Sequence, residues 1–296
     1  VWKQVQQLDA WGLEVEAAPG RGYRLPRPLD LLDEAALRAA LPEAVRGRLR
    51  TLTLADEIES TNAALLEAPP LPPGRMDLCL AEFQSRGRGR RGRPWVAPFG
   101  AGLCLSVSWT FRDAPPQLSA LSLAVGVGAL RALAALGVAG VGLKWPNDLV
   151  RGLDKLGGIL VDLRAEAAGP AFVVIGLGLN VALPSAARAE ISRTGLTVAS
   201  LDDFCAPPPA RTRLAAALVG QLEGVLAEFE QRGFAPFADE WRAADALAAR
   251  PASVLLGESR IEGLARGIDD GGALLLEVGG SLRRFVSGEV SLRPLA

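Results

Sequence analysis

The stretch RGRGRRGRPW, residues 86–95, places five arginines within its first eight positions, although the chain of 296 residues has a formal net charge of only −1 at pH 7. Glycine lets the backbone fold closely around a ligand, and the guanidinium fork binds phosphate or carboxylate through two parallel hydrogen bonds. Because the rest of the chain is net acidic, attraction for anions is concentrated at this place. The stretch therefore predicts a local site for an anionic ligand.

The same stretch formally contains the G-x-G-x-x-G pattern of dinucleotide-binding folds, at Gly87, Gly89 and Gly92. That pattern requires a helix to begin directly after it, whereas here Pro94 follows and arginines stand between the glycines. We therefore reject the Rossmann interpretation. Taken alone, a solvated basic loop or a patch for nucleic acid is the more common explanation of such a run. The other motifs of the chain decide between these and a ligand site.

Composition excludes several classes of chemistry. The chain has no histidine, which rules out Ser-His-Asp and Cys-His catalysis and histidine-ligated metals. Its cysteines, Cys79, Cys104 and Cys205, are far apart and odd in number, which predicts reduced thiols. No signal peptide is visible, and every apolar run is interrupted before the roughly 18 residues of a membrane span. We therefore expect a soluble, cytoplasmic protein without membrane association.

Hydrophobic patterning divides the chain into three segments. Residues 1–26 read as a helix over Val1–Leu8 followed by a β-hairpin, and because the chain starts without Met in mid-helix we expect further residues before it. Residues 27–249 intermix strands and helices, including an apolar helix near Leu118–Leu136, as expected of one α+β domain. Residues 250–296 contain short strands punctuated by glycine, which predicts a small β-barrel.

A cationic motif lies in the middle of the chain. In LKWPNDLV, residues 143–150, Lys144 and Asp148 bracket a turn between two apolar strands. Lys155 follows, next to glycines that admit a ligand close to the backbone. Taken alone, these residues would be a hairpin and a surface lysine.

A second motif is the strand VVIGLGLNV, residues 173–181, which ends at the polar Asn180. Its Gly176 and Gly178 are spaced to leave one face of the strand flat. The glycines could also serve strand packing alone.

Together these segments resemble the biotin protein ligases, in particular the bifunctional type that also represses the biotin operon. The resemblance covers essentially the whole chain, and the matching segments are ESTN (59–62), EFQSRGRGRRGRPW (82–95), KWPNDL (144–149), KLGGILV (155–161), GLGLN (176–180) and SGEVSLR (287–293). It implies an α+β fold with a central mixed-sheet catalytic domain of the biotin/lipoate ligase type over 27–249. It also implies an SH3-like β-barrel over 250–296 and a partial winged helix-turn-helix over 1–26.

The resemblance implies roles for individual residues as well. Biotin or its adenylate would be held by Ser60, Thr61, Asn62, Gln84, Arg88, Gly89, Arg90, Lys155, Gly158 and Gly176. The nucleotide would be held by Arg91, Arg93, Trp95, Lys144, Asn147 and Asn180. Catalysis would depend on Lys155, Arg90 and Asp148. Ser60 and Thr61 also fit a plain helix N-cap, since one hydroxyl can cap while its neighbour binds.

The implied reaction needs no histidine. The biotin carboxylate attacks the α-phosphate of ATP, pyrophosphate leaves, and a lysine of the biotin carboxyl carrier protein of acetyl-CoA carboxylase then attacks biotinyl-5'-AMP. Bringing these anions together requires fixed cations, which Lys155, Arg88, Arg90 and Mg²⁺ would supply. Asp148 would steer or deprotonate the incoming lysine or help to hold the metal, although its motif also suits a structural turn.

Lys3, Gln4, Arg21 and Arg24 would face biotin operator DNA, with the helix in the major groove and the wing on phosphate. The resemblance also implies a homodimer through the catalytic domain. Two alternatives stay open. A lipoate ligase shares the fold and the chemistry, but its glycine-rich motif includes a histidine, which this chain lacks. A non-catalytic, biotin-responsive DNA-binding regulator would release no pyrophosphate from ATP.

Overall fold

The computed structural model describes residues 2–18, 20–165, 169–286 and 290–294. Its helices are α1 (Trp2–Ala10), α2 (Glu34–Ala40), α3 (Glu43–Arg48), α4 (Thr61–Glu67), α5 (Leu121–Ala135), α6 (Ser185–Ser192), α7 (Arg211–Arg232) and α8 (Ala238–Ala243). Its strands are β1 (Glu16–Ala18), β2 (Gly22–Arg24), β3 (Leu49–Ile58), β4 (Met76–Gln84), β5 (Gly102–Phe111), β6 (Gly142–Lys144), β7 (Asp148–Arg151), β8 (Asp154–Ala165), β9 (Ala171–Asn180), β10 (Pro251–Leu256), β11 (Ser259–Ile268), β12 (Leu274–Val278), β13 (Ser281–Phe285) and β14 (Val290–Pro294).

Seven strands form a mixed sheet with the order β3-β4-β5-β9-β8-β7-β6, in which β3 and β4 are parallel and the other neighbours antiparallel. Side chains alternate between the two faces of a strand. On β9, the odd-numbered residues Val173 to Leu179 belong to the main core, whereas Phe172 and Val174 pack in the smaller cluster beneath α4. Gly176 and Gly178 continue this second face, so the sheet is bare beside α4.

The main core lies between the other face of the sheet and a helical layer that contains α5 and α7. The two helices approach closely, because a Cβ atom added at Gly128 of α5 would lie 2.8 Å from Val225 Cγ2 of α7. The predicted apolar helix is confirmed as a 3-10 turn followed by α5. Contrary to the expectation from sequence, Leu118–Ala135 is long and apolar enough to cross a membrane, but 61% of it is buried inside the protein, as in a core helix.

The N-terminal segment has a helix and a hairpin in the predicted order. The helix covers Trp2–Ala10, two residues further than expected at its end, and Val1 lies outside the described residues. Trp11 stacks on Phe99 with 4.5 Å between ring centroids, and Phe99 N donates to Trp11 O at 2.9 Å. The N-terminal segment therefore docks on the loop that follows the arginine stretch.

The last strands form a separate antiparallel sheet with the order β13-β12-β11-β10-β14. Its first strand begins at Pro251, close to the predicted change of pattern after residue 249. Within the SGEVSLR motif, residues 287–289 lie outside the described part of the chain, while its last four residues belong to β14. The short strands predicted from the glycine spacing are confirmed.

Candidate active site

A cavity of about 310 Å³ opens on the bare face of the mixed sheet, beside α4. It is lined by every residue for which the sequence predicted a catalytic, biotin-binding or nucleotide-binding role: Ser60, Thr61, Asn62, Gln84, Arg88, Gly89, Arg90, Arg91, Arg93, Trp95, Lys144, Asn147, Asp148, Lys155, Gly158, Gly176 and Asn180. These residues come from the start of α4, five strands of the mixed sheet, the turn between β6 and β7, and the arginine loop, so only the folded sheet brings them together.

Two lysines hold one carboxylate on the wall of the cavity. Lys144 Nζ lies 2.8 Å from Asp148 Oδ2, and Lys155 Nζ lies 2.7 Å from Asp148 Oδ1. The tight hairpin between β6 and β7 places Lys144 opposite Asp148 in register, and β8 brings in Lys155 from the other side. Two cations around one anion leave a net positive charge facing the cavity.

The charge state of Asp148 follows from this arrangement. Burial alone would raise the pKa of its carboxyl group, but Lys155 and Lys144 outweigh burial through charge and hydrogen bonds, so the pKa is lowered. Asp148 is therefore ionised at neutral pH. A carboxylate with a lowered pKa is a weak base, which favours the orientation of the lysines over proton abstraction as its role.

The arginine stretch forms a small hairpin over the cavity, which we call the lid (residues 86–95). Arg88 and Pro94 form an antiparallel bridge, and Trp95 N donates to Gly87 O at 2.8 Å. The tip is a 3-10 turn over Arg90–Gly92, where Arg91 has φ 59°. Arg90 Nη1 donates to Asn147 Oδ1 at 3.5 Å, which joins the tip to the opposite wall.

Positive charge converges at the tip of the lid. Burial lowers the pKa of Arg90, Asp148 opposes this, and Arg91 and Arg93 lower the pKa further. The pKa of Arg93 is lowered first by burial and then by Arg293 and Arg91. The arginines of the tip repel one another, so a phosphate bound among them would be stabilised by several cations at once.

Trp95, at the base of the lid, extends its ring down to the floor of the cavity. A Cβ atom at Gly178 would lie 2.5 Å from the Trp95 ring, so only glycine admits the indole there. Lys155 Nζ lies over the same ring, 5.8 Å from its centroid. Trp95 Nε1 is buried without a hydrogen-bond partner among the described residues. The neighbouring Cys104 is no nucleophile, because burial raises the pKa of its thiol to about 11.

The end of the cavity beside α4 is a network of neutral polar groups. Ser60 caps α4 by accepting from Ala63 N at 3.4 Å, which confirms the predicted N-cap. Gln84 Oε1 accepts from Thr61 N at 2.8 Å, and the Ser106 hydroxyl lies 2.7 Å from Thr61 Oγ1 and 2.6 Å from Asn62 Oδ1. This end of the cavity suits a neutral polar head group with apolar surroundings, whereas the lysines and the lid suit anions.

Two asparagines of the cavity hold the protein's own backbone. Asn147 Nδ2 donates to Ile159 O at 2.7 Å. Asn180 Nδ2 donates to Ala199 O at 2.9 Å and to Lys155 O at 3.3 Å. In this structure both amides therefore position the walls around Lys155, and their expected contacts with nucleotide stay predictions.

The sequence interpretation missed part of the lining. The segment after α6 contributes Thr194, Leu196 and Val198, and β14 contributes Leu292 and Arg293. A backbone bond from Lys155 N to Thr197 O, 3.0 Å long, fixes the first of these walls. The first segment has one charged residue, Arg193, and one glycine, Gly195, which form no motif, so no local signal marked it. Arg293 lay within the SGEVSLR motif without an assigned role.

The four residues expected to face DNA lie away from this cavity. Lys3 and Gln4 are exposed on α1, which has no buried residue. Arg21 is exposed in the hairpin turn, and Arg24 Nε pairs with Glu16 Oε2 at 2.7 Å across the hairpin. Their predicted role is therefore separate from the cavity.

Comparison with known proteins accounts for this architecture. The profile of the Biotin/lipoate A/B protein ligase family matches residues 54–180, and that of the Biotin protein ligase C terminal domain matches residues 253–293. The bifunctional ligase/repressor BirA of Salmonella typhimurium is 39% identical to this chain, with 98% of this chain and 88% of the relative covered. The Biotin--[acetyl-CoA-carboxylase] ligase of Mycobacterium tuberculosis is 38% identical, covering 88% of this chain and 95% of the relative.

The fold is also that of a solved structure. Biotin protein ligase from Aquifex aeolicus, determined in complex with biotin and ATP, superposes with a TM-score of 0.69 at 24% identity, covering 83% of this chain and 100% of that one. At 39% identity to a bifunctional ligase/repressor over 98% of its length, with matching catalytic and C-terminal domain profiles, the chain belongs to the biotin protein ligase family.

Proposed function

We propose that this protein is an ATP-dependent biotin protein ligase. It activates biotin to biotinyl-5'-AMP with loss of pyrophosphate, and then transfers the biotinyl group to a specific lysine of the biotin carboxyl carrier protein of acetyl-CoA carboxylase with loss of AMP. The observation that carries the proposal is the cavity that joins a neutral polar end at α4 to a cationic end under the lid. Biotin has the same polarity, with a neutral ureido head and an anionic tail that must meet a phosphate.

Each group of residues has a place in this reaction. Ser60, Thr61, Asn62, Gln84, Gly158 and Gly176 form the pocket for the biotin head, with Arg88 and Gly89 closing it. Lys155 and Arg90 stabilise the charge that develops as the carboxylate attacks the α-phosphate. Arg91, Arg93, Trp95, Lys144, Asn147 and Asn180 hold the nucleotide. Arg293 brings a further cation to the nucleotide end from the last strand.

We assign Asp148 the task of orienting Lys144 and Lys155, because both of its oxygen atoms are already bound by them. For the same reason it does not fit a magnesium site as the structure stands. Within the described residues no cluster of three or more acidic or cysteine side chains could hold a metal ion. Mg²⁺ suits this site through the phosphates of ATP, since it is commonly bound by substrate phosphates and few carboxylates. When bound, it would neutralise phosphate charge beside Lys155 and the lid.

The remaining assignments concern the whole protein. We infer that residues 27–249 form the catalytic domain, residues 250–296 an SH3-like barrel, and residues 1–26 part of a winged helix-turn-helix. Within the last of these, Lys3, Gln4, Arg21 and Arg24 would contact biotin operator DNA, as the bifunctional relatives' name suggests. We also propose a homodimer through the catalytic domain and a cytoplasmic location, where the carrier protein is made.

The proposal is tested by mixing the purified chain with biotin and ATP and measuring pyrophosphate release and biotinyl-5'-AMP. Adding a carrier domain should then yield a biotinylated acceptor, detected with streptavidin, and no product when the acceptor lysine is changed to arginine. Lipoate in place of biotin should give no pyrophosphate. Biotin binding without pyrophosphate release would contradict the proposal and favour the non-catalytic regulator.

A further inference from the structure

Asp162 of β8 lies beside the biotin end of the cavity, although neither its sequence context nor the proposed reaction assigns it a role. It faces Val174 of β9 in register, so it lies on the same side of the sheet as Gly176 and α4. β7 pairs with β8 only as far as Gly158. The Asp162 carboxylate thus stands on the open part of β8 and can reach both α4 and the lid.

One oxygen of this carboxylate meets both neighbours. Asp162 Oδ2 accepts a hydrogen bond of 2.9 Å from Asn62 Nδ2, and the same oxygen lies 3.8 Å from Arg88 Nη2 of the lid. Its side chain is 29% exposed and that of Arg88 is 47% exposed, so the ion pair is partly screened by solvent. The carboxylate nevertheless contacts both α4 and the base of the lid, so these two elements share one partner.

On the α4 side, Asp162 completes the contacts of a buried amide. Asn62 is only 3% exposed, its Oδ1 lies 2.6 Å from the Ser106 hydroxyl, and its Nδ2 also reaches Leu160 O at 3.4 Å. A Cβ atom at Gly176 would lie 2.2 Å from Asn62 Oδ1, so the amide has little room to turn. Asp162 therefore helps to fix the residue on which the pocket network with Ser106 and Thr61 is built.

On the other side, Asp162 acts at the base of the lid. Arg88 bridges to Pro94, and the next bond of the hairpin joins Trp95 N to Gly87 O. Because the two strands of the hairpin are joined there, the position of Arg88 sets the position of the tip. A negative charge that attracts Arg88 favours a lid that is already over the pocket when ligand arrives.

We propose that Asp162 is a positioning residue of the biotin site, which holds the base of the lid through Arg88 while it orients Asn62. The inference rests on the proposed ligase function. Removing the charge at residue 162 weakens biotin binding and leaves the chemical step intact once biotin is saturating.

The experiment compares Asp162→Asn, Asp162→Glu and Asp162→Leu with the wild-type ligase, by pyrophosphate release at varied biotin. Asn at this position keeps an acceptor for Asn62 and removes the charge that faces Arg88. We expect the KM for biotin to rise about three- to fivefold, the size expected for a partly exposed ion pair, with kcat within about twofold. Glu should bring KM back toward the wild-type value, and Leu should raise KM about tenfold or more, because the Asn62 amide then loses the closer of its two acceptors.

Two comparisons separate positioning from general damage. Asp154→Asn changes an exposed aspartate on the same strand and should leave KM unchanged. In an Arg88→Ala background, Asp162→Asn should have almost no further effect on KM, whereas a purely structural role would give the same effect in both backgrounds. Failure of the wild-type protein to release pyrophosphate would overturn the ligase function itself. A wild-type KM in Asp162→Asn, or a fall in kcat alone, would overturn the positioning role. So would a change in KM that is accompanied by a change in the oligomeric state of the protein in solution.

Discussion

Lys155 contributes to the site through its side chain and its backbone separately. Its Nζ binds Asp148 and lies over the Trp95 ring. Its main-chain N donates to Thr197 O, and its carbonyl accepts from Ala199 N, each at 3.0 Å. A change of side chain therefore removes a cation while the backbone anchors of the cavity wall remain.

We expect Lys155→Ala to lose adenylate formation while the protein stays folded. The lost cation serves both the carboxylate and the phosphate, and a charged hydrogen bond is worth about 1.5–3 kcal/mol, or roughly a 10- to 150-fold fall in rate. Asp148 keeps its contact with Lys144, so no buried charge is left alone. The check is the rate of pyrophosphate release beside the midpoint of thermal unfolding. A wild-type rate would show that the lysine assignment is wrong.

Single residues also mark how far sequence reasoning extends. Arg90, Lys155 and Asp148 were predictable because charge, glycine and turn residues cluster around them in short motifs. Asp162 was not predictable, since its partners Asn62 and Arg88 are distant in sequence and meet it only across the sheet. The backbone contacts of Asn147 and Asn180 were missed for the same reason, because their acceptors belong to other elements.

Among the elements, the lid has a tightly closed base and a tip with an unusual backbone conformation. A Cβ atom at Gly87 would lie 2.5 Å from Trp95 O, so the base closes only with glycine. Arg91 and Gly92 at the tip have φ values of 59° and 69°, in the left-handed region, which glycine adopts readily and arginine only rarely. Arg90 anchors this tip across the cavity to Asn147.

We expect Arg90→Gly still to form adenylate, because Lys155 remains to stabilise the developing charge, but to release it faster. The change removes a guanidinium from the tip and adds backbone freedom, so dissociation of biotinyl-5'-AMP should quicken by roughly 10- to 100-fold. An escaped adenylate reacts with any accessible amine, so biotin should appear on an unrelated lysine-rich protein added to the reaction. Labelling of the ligase itself should be slight, because its lysines are Lys3 and the two in the cavity, Lys144 and Lys155.

Arg86→Gly is the matched control for this variant. Arg86 stands at the outer end of the same stretch and faces Glu59 at 3.5 Å, away from the cavity. It adds the same glycine and removes the same charge without touching the tip. Equal release from Arg90→Gly and the wild type, or equal labelling by the two variants, would mean that the tip does not retain the adenylate.

At the level of elements, short sequence patterns predicted most of the individual structural features but not the order in which the strands pair. The Ser60 cap, the hairpin around Asn147 and the glycine-spaced final strands each follow from a few neighbouring residues. The strand order of the mixed sheet depends on pairings between residues far apart in sequence, such as β5 with β9. Residues 194–198 cover the cavity only because their backbone pairs with Lys155, which no local pattern could indicate.

Over the whole molecule, a buried ion pair ties the segment before α2 to the sheet. Arg211 Nη1 binds Glu82 Oε2 at 2.5 Å, with side chains only 1% and 4% exposed. Arg211 also donates to Gly102 O and Asp30 O, and Glu82 Oε1 accepts from Leu32 N. Because the pair is buried, removal of either partner would leave a charge without compensation. The segment that connects the N-terminal hairpin to the mixed sheet is therefore held in place by this ion pair.

A second junction, between α8 and the C-terminal sheet, contains an aspartate with an unusual charge state. Asp245 forms a parallel bridge with Leu143, and its Oδ1 accepts from Leu247 N at 2.9 Å. Burial raises the pKa of Asp245 to about 6, and the backbone hydrogen bond only partly opposes this. The carboxyl group is therefore charged at neutral pH, although its buried surroundings favour the protonated form.

We expect Asp245→Asn to stabilise the protein near pH 7.5. The folded-state pKa lies above the ordinary value of 3.8, so the folded state holds the proton more tightly than the unfolded state does. This contribution is fully present below pH 3.8 and is lost as the pH rises through about 6. It amounts to about 3 kcal/mol at most, since one pKa unit corresponds to about 1.4 kcal/mol. The measurement is the free energy of unfolding by urea at several pH values.

Wild-type stability should rise as the pH falls from 7.5 to 5. Asp148 does not contribute to this rise, because its lowered pKa keeps it ionised over this range. In Asp245→Asn this rise should disappear, because the amide stays neutral throughout. Asp113→Asn, a change at an exposed aspartate, should follow the wild-type curve. If Asp245→Asn were no more stable than the wild type at pH 7.5, the buried carboxylate would be compensated by its surroundings. Its charge would then not lower the free energy of unfolding.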